Sequence, residues 1–73
     1  RRSKIRLMNI FLNGEPKTVG EKSTVLELLE ALELADKRVA VEINGDIVPR
    51  SQHATHQLAE QDKLEIVVAV GGG

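Results

Sequence analysis

Two Asn-Gly pairs, Asn13-Gly14 and Asn44-Gly45, each stand between short stretches in which aliphatic residues alternate with others. Asn and Gly tolerate the positive φ that a two-residue type I′ hairpin turn demands at both central positions. No other signal restricts the fold as much, because each pair folds the chain back on itself. Before the first turn, Met8, Ile10 and Leu12 alternate with Asn9, Phe11 and Asn13, the period of a half-buried strand. The returning strand runs from about Glu15 to Val19, with Pro16 placing it at a sheet edge, where a missing N–H is harmless. Around the second turn, Val39, Val41 and Ile43 alternate with Ala40 and Glu42; Ile47 and Val48 follow, and Pro49 ends the pairing.

Between the hairpins lies one helix. Thr24 and Glu27 fit a capping box, in which each side chain satisfies a free N–H at the helix start. Val25, Leu28, Leu29 and Leu32 form an apolar stripe at i, i+3, i+4 and i+7. Glu27, Glu30 and Glu33 lie off that stripe and read as a solvated face rather than as acid/base carboxylates. A Glu33–Lys37 pair forms only if the helix extends that far. After Pro49 the chain is polar and irregular to Gln61, with Leu58 as its core anchor. Lys63 to Val70 is the last strand, with Leu64, Ile66, Val68 and Val70 on one face and Glu65, Val67 and Ala69 on the other. The second face is apolar after Glu65, which predicts a central strand covered on both sides. The order β-β-α-β-β-β gives an α+β domain, a small mixed sheet with the helix packed on one face. The last strand is expected parallel to the first through a right-handed crossover.

With 73 residues there is room for one domain and little scaffold for a catalytic cleft. The chain has no cysteine, which excludes a disulfide framework, a Cys-ligated metal and thiol nucleophile chemistry. Phe11 is its one aromatic residue, too few for a base-stacking platform, and no apolar run is long enough to span a membrane. These features predict a soluble cytoplasmic domain that touches other proteins, with neither nucleic acid nor membrane as a partner. Residues 1–7 hold Arg1, Arg2, Lys4 and Arg6 without an acid, so the net charge of −1 leaves −5 on the remainder. They read as a basic extension, disordered or vector-derived, ahead of a domain over 8–73. A nucleic-acid-binding arm is the weaker reading, opposed by the acidic body.

Few side chains offer chemistry. His53 and His56 are three apart but lack further ligands at matching spacing, so they read as solvated and no metal is expected. Arg50, after Pro49, is a partner contact or a hydrated loop residue. Phe11 should project from the uncovered sheet face with Val67 and Ala69 beside it, a candidate docking patch. The sharpest feature is the run Ile66-Val67-Val68-Ala69-Val70 leading straight into Gly71-Gly72-Gly73. Glycines without Cβ can thread a channel too narrow for side chains, and three of them extended reach ~10 Å. A flexible tail of this kind suits delivery of a terminal carboxylate into another protein's active site.

At this point the chain resembles the ThiS family of ubiquitin-like sulfur carriers. The resemblance rests on Met8-Asn9-Ile10-Phe11-Leu12-Asn13-Gly14, on Thr24-Val25-Leu26-Glu27-Leu28-Leu29, and on Val39 through Asn44-Gly45-Asp46-Ile47-Val48-Pro49-Arg50. It continues from Leu58 through Asp62-Lys63-Leu64-Glu65-Ile66-Val67 to Gly72-Gly73. It implies a β-grasp fold and a carrier rather than an enzyme. The implied covalent site is the Gly73 carboxyl, adenylated by a ThiF-type adenylyltransferase that consumes ATP and then converted to a thiocarboxylate. Gly71 and Gly72 thread the partner's active site. The implied partners are that adenylyltransferase, a cysteine desulfurase or related sulfur donor, and thiazole synthase in thiamine biosynthesis; no cofactor is bound by the carrier itself. The chain departs from the pattern in its basic extension and at Gln61-Asp62, where related chains often have Gly-Asp, so that a turn needing positive φ is strained or built differently. The alternatives are the small subunit of molybdopterin synthase, a tRNA-thiolation carrier, or a non-covalent ubiquitin-like interaction module.

Overall fold

The computed structural model describes residues 6–69. Strand β1 (Leu7–Leu12) and strand β2 (Glu15–Gly20) form the first hairpin, and helix α1 (Val25–Ala31) follows. Strand β3 (Val39–Ile43) and the two-residue strand β4 (Asp46–Ile47) form the second hairpin. A 3₁₀ turn (Arg50–Gln52) precedes the last strand, β5 (Lys63–Val68). The order expected from the sequence is the order observed, with the 3₁₀ turn added.

Both hairpin turns take positive φ at both central residues: Asn13 at 51° and Gly14 at 86°, Asn44 at 54° and Gly45 at 90°. The sheet runs β2-β1-β5-β3-β4, so β5 is central and β2, which carries Pro16, is an edge. β5 pairs parallel with β1 and antiparallel with β3.

The helix start is satisfied donor by donor. Thr24 N–H donates to Glu27 Oε1 at 2.9 Å and Glu27 N–H to Thr24 Oγ1 at 3.1 Å, completing the capping box. The other two free donors reach across the fold: Val25 N–H to the His56 carbonyl at 3.0 Å, Leu26 N–H to the His53 carbonyl at 2.8 Å. The helix stops earlier than a Glu33–Lys37 pair requires. Glu33 turns left-handed at φ 62°, its N–H bonds the Glu30 carbonyl, and the Leu34 N–H bonds the Leu29 carbonyl. That is a Schellman termination, built on glutamate where glycine is usual.

The core lies between α1 and one face of the sheet. Ile10, Val25, Val41 and Leu64 are its most completely buried side chains, joined by Met8, Leu28, Leu29, Ile43, Val48, Leu58 and Ile66. The opposite face corrects one expectation. β5 is central but is covered on one side only: Val67 is 63% exposed, and Glu65 is exposed as well. The seven-residue helix is the sole α-helix among the described residues and packs on the face carrying Leu64 and Ile66.

Candidate functional site

The strand that leads toward the C-terminal glycines is held along both edges. On the β1 side the regular pairing ends at Leu12 with Leu64. The Asn13 N–H still donates to the Leu64 carbonyl at 2.8 Å, and its side-chain amide then continues the ladder. Asn13 Oδ1 accepts from the Ile66 N–H at 2.9 Å, and Asn13 Nδ2 donates to the Ile66 carbonyl at 3.3 Å. One side chain thus stands in for a peptide unit of the neighbouring strand. On the β3 side Asn44 makes a comparable grip at the start of β5. Its N–H donates to the Lys63 carbonyl at 2.8 Å, its Oδ1 accepts from the Lys63 N–H at 3.0 Å, and its Nδ2 donates to Asp62 Oδ1 at 3.0 Å. Beyond the strand end, Ala69 N–H donates to the Arg38 carbonyl at 2.9 Å. Reading Asn13 and Asn44 only as turn formers missed this second role. Asn is favoured in such turns for its backbone alone, so no sequence signal separates the two roles.

The expected tail residues, Gly71, Gly72 and Gly73, lie outside the described residues, as do residues 1–5 of the basic extension. The expected docking residues are divided by the sheet register. Phe11 is on the open face as predicted, half-buried, with Pro16 and Lys63 as its cross-strand partners. Val67 lies four residues beyond Lys63 on β5, about 13 Å along the strand, with Glu65 between them. Its partner is Ala40 on β3, not a residue of β1. Phe11 and Val67 therefore do not form one continuous apolar patch. Ile47, 70% exposed and paired with Glu42, is a second apolar residue on the Val67 side that sequence reasoning passed over. Ala69 is exposed just past β5. Arg50 is exposed in the 3₁₀ turn, on the wall of a cleft beside α1.

The histidines also differ from expectation. His53 is buried, with 6% of its surface accessible, while His56 is half-buried. The reason is the helix start: the His53 carbonyl accepts from Leu26, which draws this residue against α1. Its Nε2 lies 3.0 Å from the Val48 carbonyl, and because a carbonyl only accepts, Nε2 carries the proton. Among the described residues no three histidine or acidic side chains converge as a metal site. No described helix is long and apolar enough to cross a membrane. Glu27, Glu30 and Glu33 are exposed, as expected.

Strand order, helix cap and the grip on β5 describe a scaffold. Relatives supply the rest. The sequence model of the ThiS family matches residues 9–73. The chain belongs to the ThiS family. This ThiS-family chain is 35% identical over 66 residues to the sulfur carrier protein ThiS of Escherichia coli, a match spanning 90% of the chain and 100% of that protein. It is 42% identical over 66 residues to the thiazole synthase of Paramagnetospirillum magneticum, covering 90% of the chain but only 20% of that protein. The ThiS-like chain thus spans about a fifth of that relative. Among solved structures, the thiamine biosynthesis protein (ThiS) from Geobacter metallireducens superposes with a TM-score of 0.77 at 38% identity, over 90% of this chain and 100% of that one. The fold of this ThiS-family chain is accordingly the β-grasp.

Proposed function

We propose that the protein is a sulfur carrier of thiamine biosynthesis, and that its working group is the terminal carboxyl of Gly73. The observation that carries this reading is the family match over residues 9–73, which takes in the run of glycines. In this reading the domain is a co-substrate in the cytoplasm and not a catalyst. A carboxylate is a poor acyl donor, because oxide is a poor leaving group. A ThiF-type adenylyltransferase solves this with ATP: a Gly73 carboxylate oxygen attacks the α-phosphorus, pyrophosphate leaves, and an acyl-adenylate forms. A desulfurase draws sulfur from cysteine as an enzyme-bound persulfide, leaving alanine, and the outer persulfide sulfur attacks the carbonyl carbon as AMP departs with the bonding pair. A thiol reductant then attacks the inner sulfur of the resulting acyl disulfide, taking up the enzyme thiol as a disulfide and leaving the thiocarboxylate. Thiazole synthase then takes that sulfur; relatives named thiazole synthase that contain a matching segment favour this consumer over molybdopterin or tRNA-thiolation enzymes.

What the described residues contribute is support for the tail. β5 is paired on both sides, and the Ala69 backbone is tied to Arg38, so the chain is held up to the last described residue. Gly71 and Gly72 add reach without side chains. Val67 on the open face and Ala69, exposed just past β5, stand at this end of the strand and are the contacts a tail-processing enzyme meets first; Phe11 is a separate contact further back.

The test is intact-mass measurement after incubation with ATP, a ThiF-type enzyme, a desulfurase and cysteine. Exchange of one oxygen for sulfur, abolished by deletion of Gly72 and Gly73, is the expected result. Absence of any modification favours a non-covalent interaction module instead.

A further inference from the structure

A second surface lies away from the open sheet face. Leu26 and Leu29 of α1, Val39 at the start of β3, and Arg50, His53 and Ala54 around the 3₁₀ turn enclose a cleft of about 210 Å³ with Ala35 and Lys37. The volume suits one or two side chains rather than a nucleotide or a large ligand. Two features of its wall stand out. Its floor is aliphatic, and its only charges are the cations Lys37 and Arg50, with no acid among the lining residues. This is unlike the body as a whole, which carries −5 over residues 8–73. Lys37, Arg38 and Arg50 are half of the cations after residue 7; the others, Lys17, Lys22 and Lys63, are on β2, in the turn after it, and at the start of β5.

The cleft is also built from elements that hold each other in place. The carbonyls of His53 and His56 cap the start of α1, and His53 Nε2 donates to Val48, so the 3₁₀ segment is fixed against the helix. Val39, on the wall, pairs with Val68 near the end of β5. One wall of the cleft therefore stands at the end of the sheet where β5 finishes.

We infer that this cleft docks a segment of a protein partner in which an aliphatic side chain stands beside aspartate or glutamate. The aliphatic group covers the half-buried Leu26, Ala35 and Val39, and the carboxylates meet Lys37 and Arg50. Charge selects the segment: the body carries a net −5 over residues 8–73, and here a carboxylate meets two cations over an apolar floor. The inference needs neither the tail nor sulfur transfer and stands or falls apart from them.

The probe is a blocked pentapeptide alternating leucine with glutamate, titrated into the ¹⁵N-labelled full chain and followed by amide shifts. Saturable shifts centred on Lys37, Val39, Arg50 and Ala54 are expected, weakening as salt rises. In Lys37→Glu/Arg50→Glu the dissociation constant should rise about tenfold or more. Lys37→Gln/Arg50→Gln gives the same reading in the same direction should the double reversal disturb folding. The glutamine version of the peptide should not bind. The inference is overturned by a lack of saturable shifts, by shifts that map to the open sheet face, or by equal binding of the glutamine peptide. It is also overturned if inorganic phosphate shifts the same amides at the same concentration, which would make the cleft a small-anion site.

Discussion

Glu33 and Gln61 both hold a backbone conformation that side chains disfavour, with φ at 62° and 70°. Each does so at the boundary of an element. Glu33 closes α1, and Gln61 turns the chain into β5, donating its N–H to the Asn9 carbonyl at 2.7 Å. Left-handed backbone costs a residue with a Cβ roughly 1 kcal/mol, so Glu33→Gly and Gln61→Gly should each stabilise the domain by about 1 kcal/mol, read as an increase in the urea midpoint. Gly14→Ala and Gly45→Ala should lose a similar amount, about 1 kcal/mol; a Cβ there meets nothing within 4 Å, so the loss is purely conformational. The strain at Gln61 was legible in the sequence, because family resemblance places a glycine there. That at Glu33 was not. The helical stripe through Leu32 invites the helix onward, and only the packing of Leu34 against the core shows why it turns.

At the scale of elements, the two hairpins and the capped helix could be read directly, because each rests on local chemistry: turn residues, alternation and a cap. Removing the Thr24 hydroxyl with Thr24→Ala should cost about 1 kcal/mol, checked by thermal unfolding, and should raise hydrogen exchange at the Glu27 amide. Contacts between elements were not legible in the same way. Alternation assigns Phe11 and Val67 to the same sheet face correctly, but it does not encode the parallel register that sets them four residues apart. The burial of His53 likewise follows from a carbonyl bonded to the helix start, a backbone event with no side-chain signature. Asn13 illustrates both levels. Asn13→Gly keeps the turn but removes the bonds to Ile66, and should cost about 1–2 kcal/mol, with faster exchange at the Ile66 amide as its distinguishing mark.

Across the whole molecule, the division of the exposed surface makes separate predictions for separate contacts. Val67→Asp replaces a side chain 63% exposed, so the unfolding midpoint should barely move, within about 0.5 kcal/mol. Its affinity for a ThiF-type enzyme should fall by about tenfold, measured by calorimetry. Phe11→Glu, further from the strand end, should weaken that complex less. Equal losses from both variants would mean that the enzyme covers the full length of the open face. The sheet order adds a mechanical consequence. β5 is flanked on both sides, parallel to β1 and antiparallel to β3, with Asn13 bridging where the backbone ladder stops. Tension applied along the C-terminal end of β5 loads these bonds in shear, so that they share the force instead of opening one after another like a zipper. The Asn13 turn of the first hairpin is one of the anchors that carry such a load.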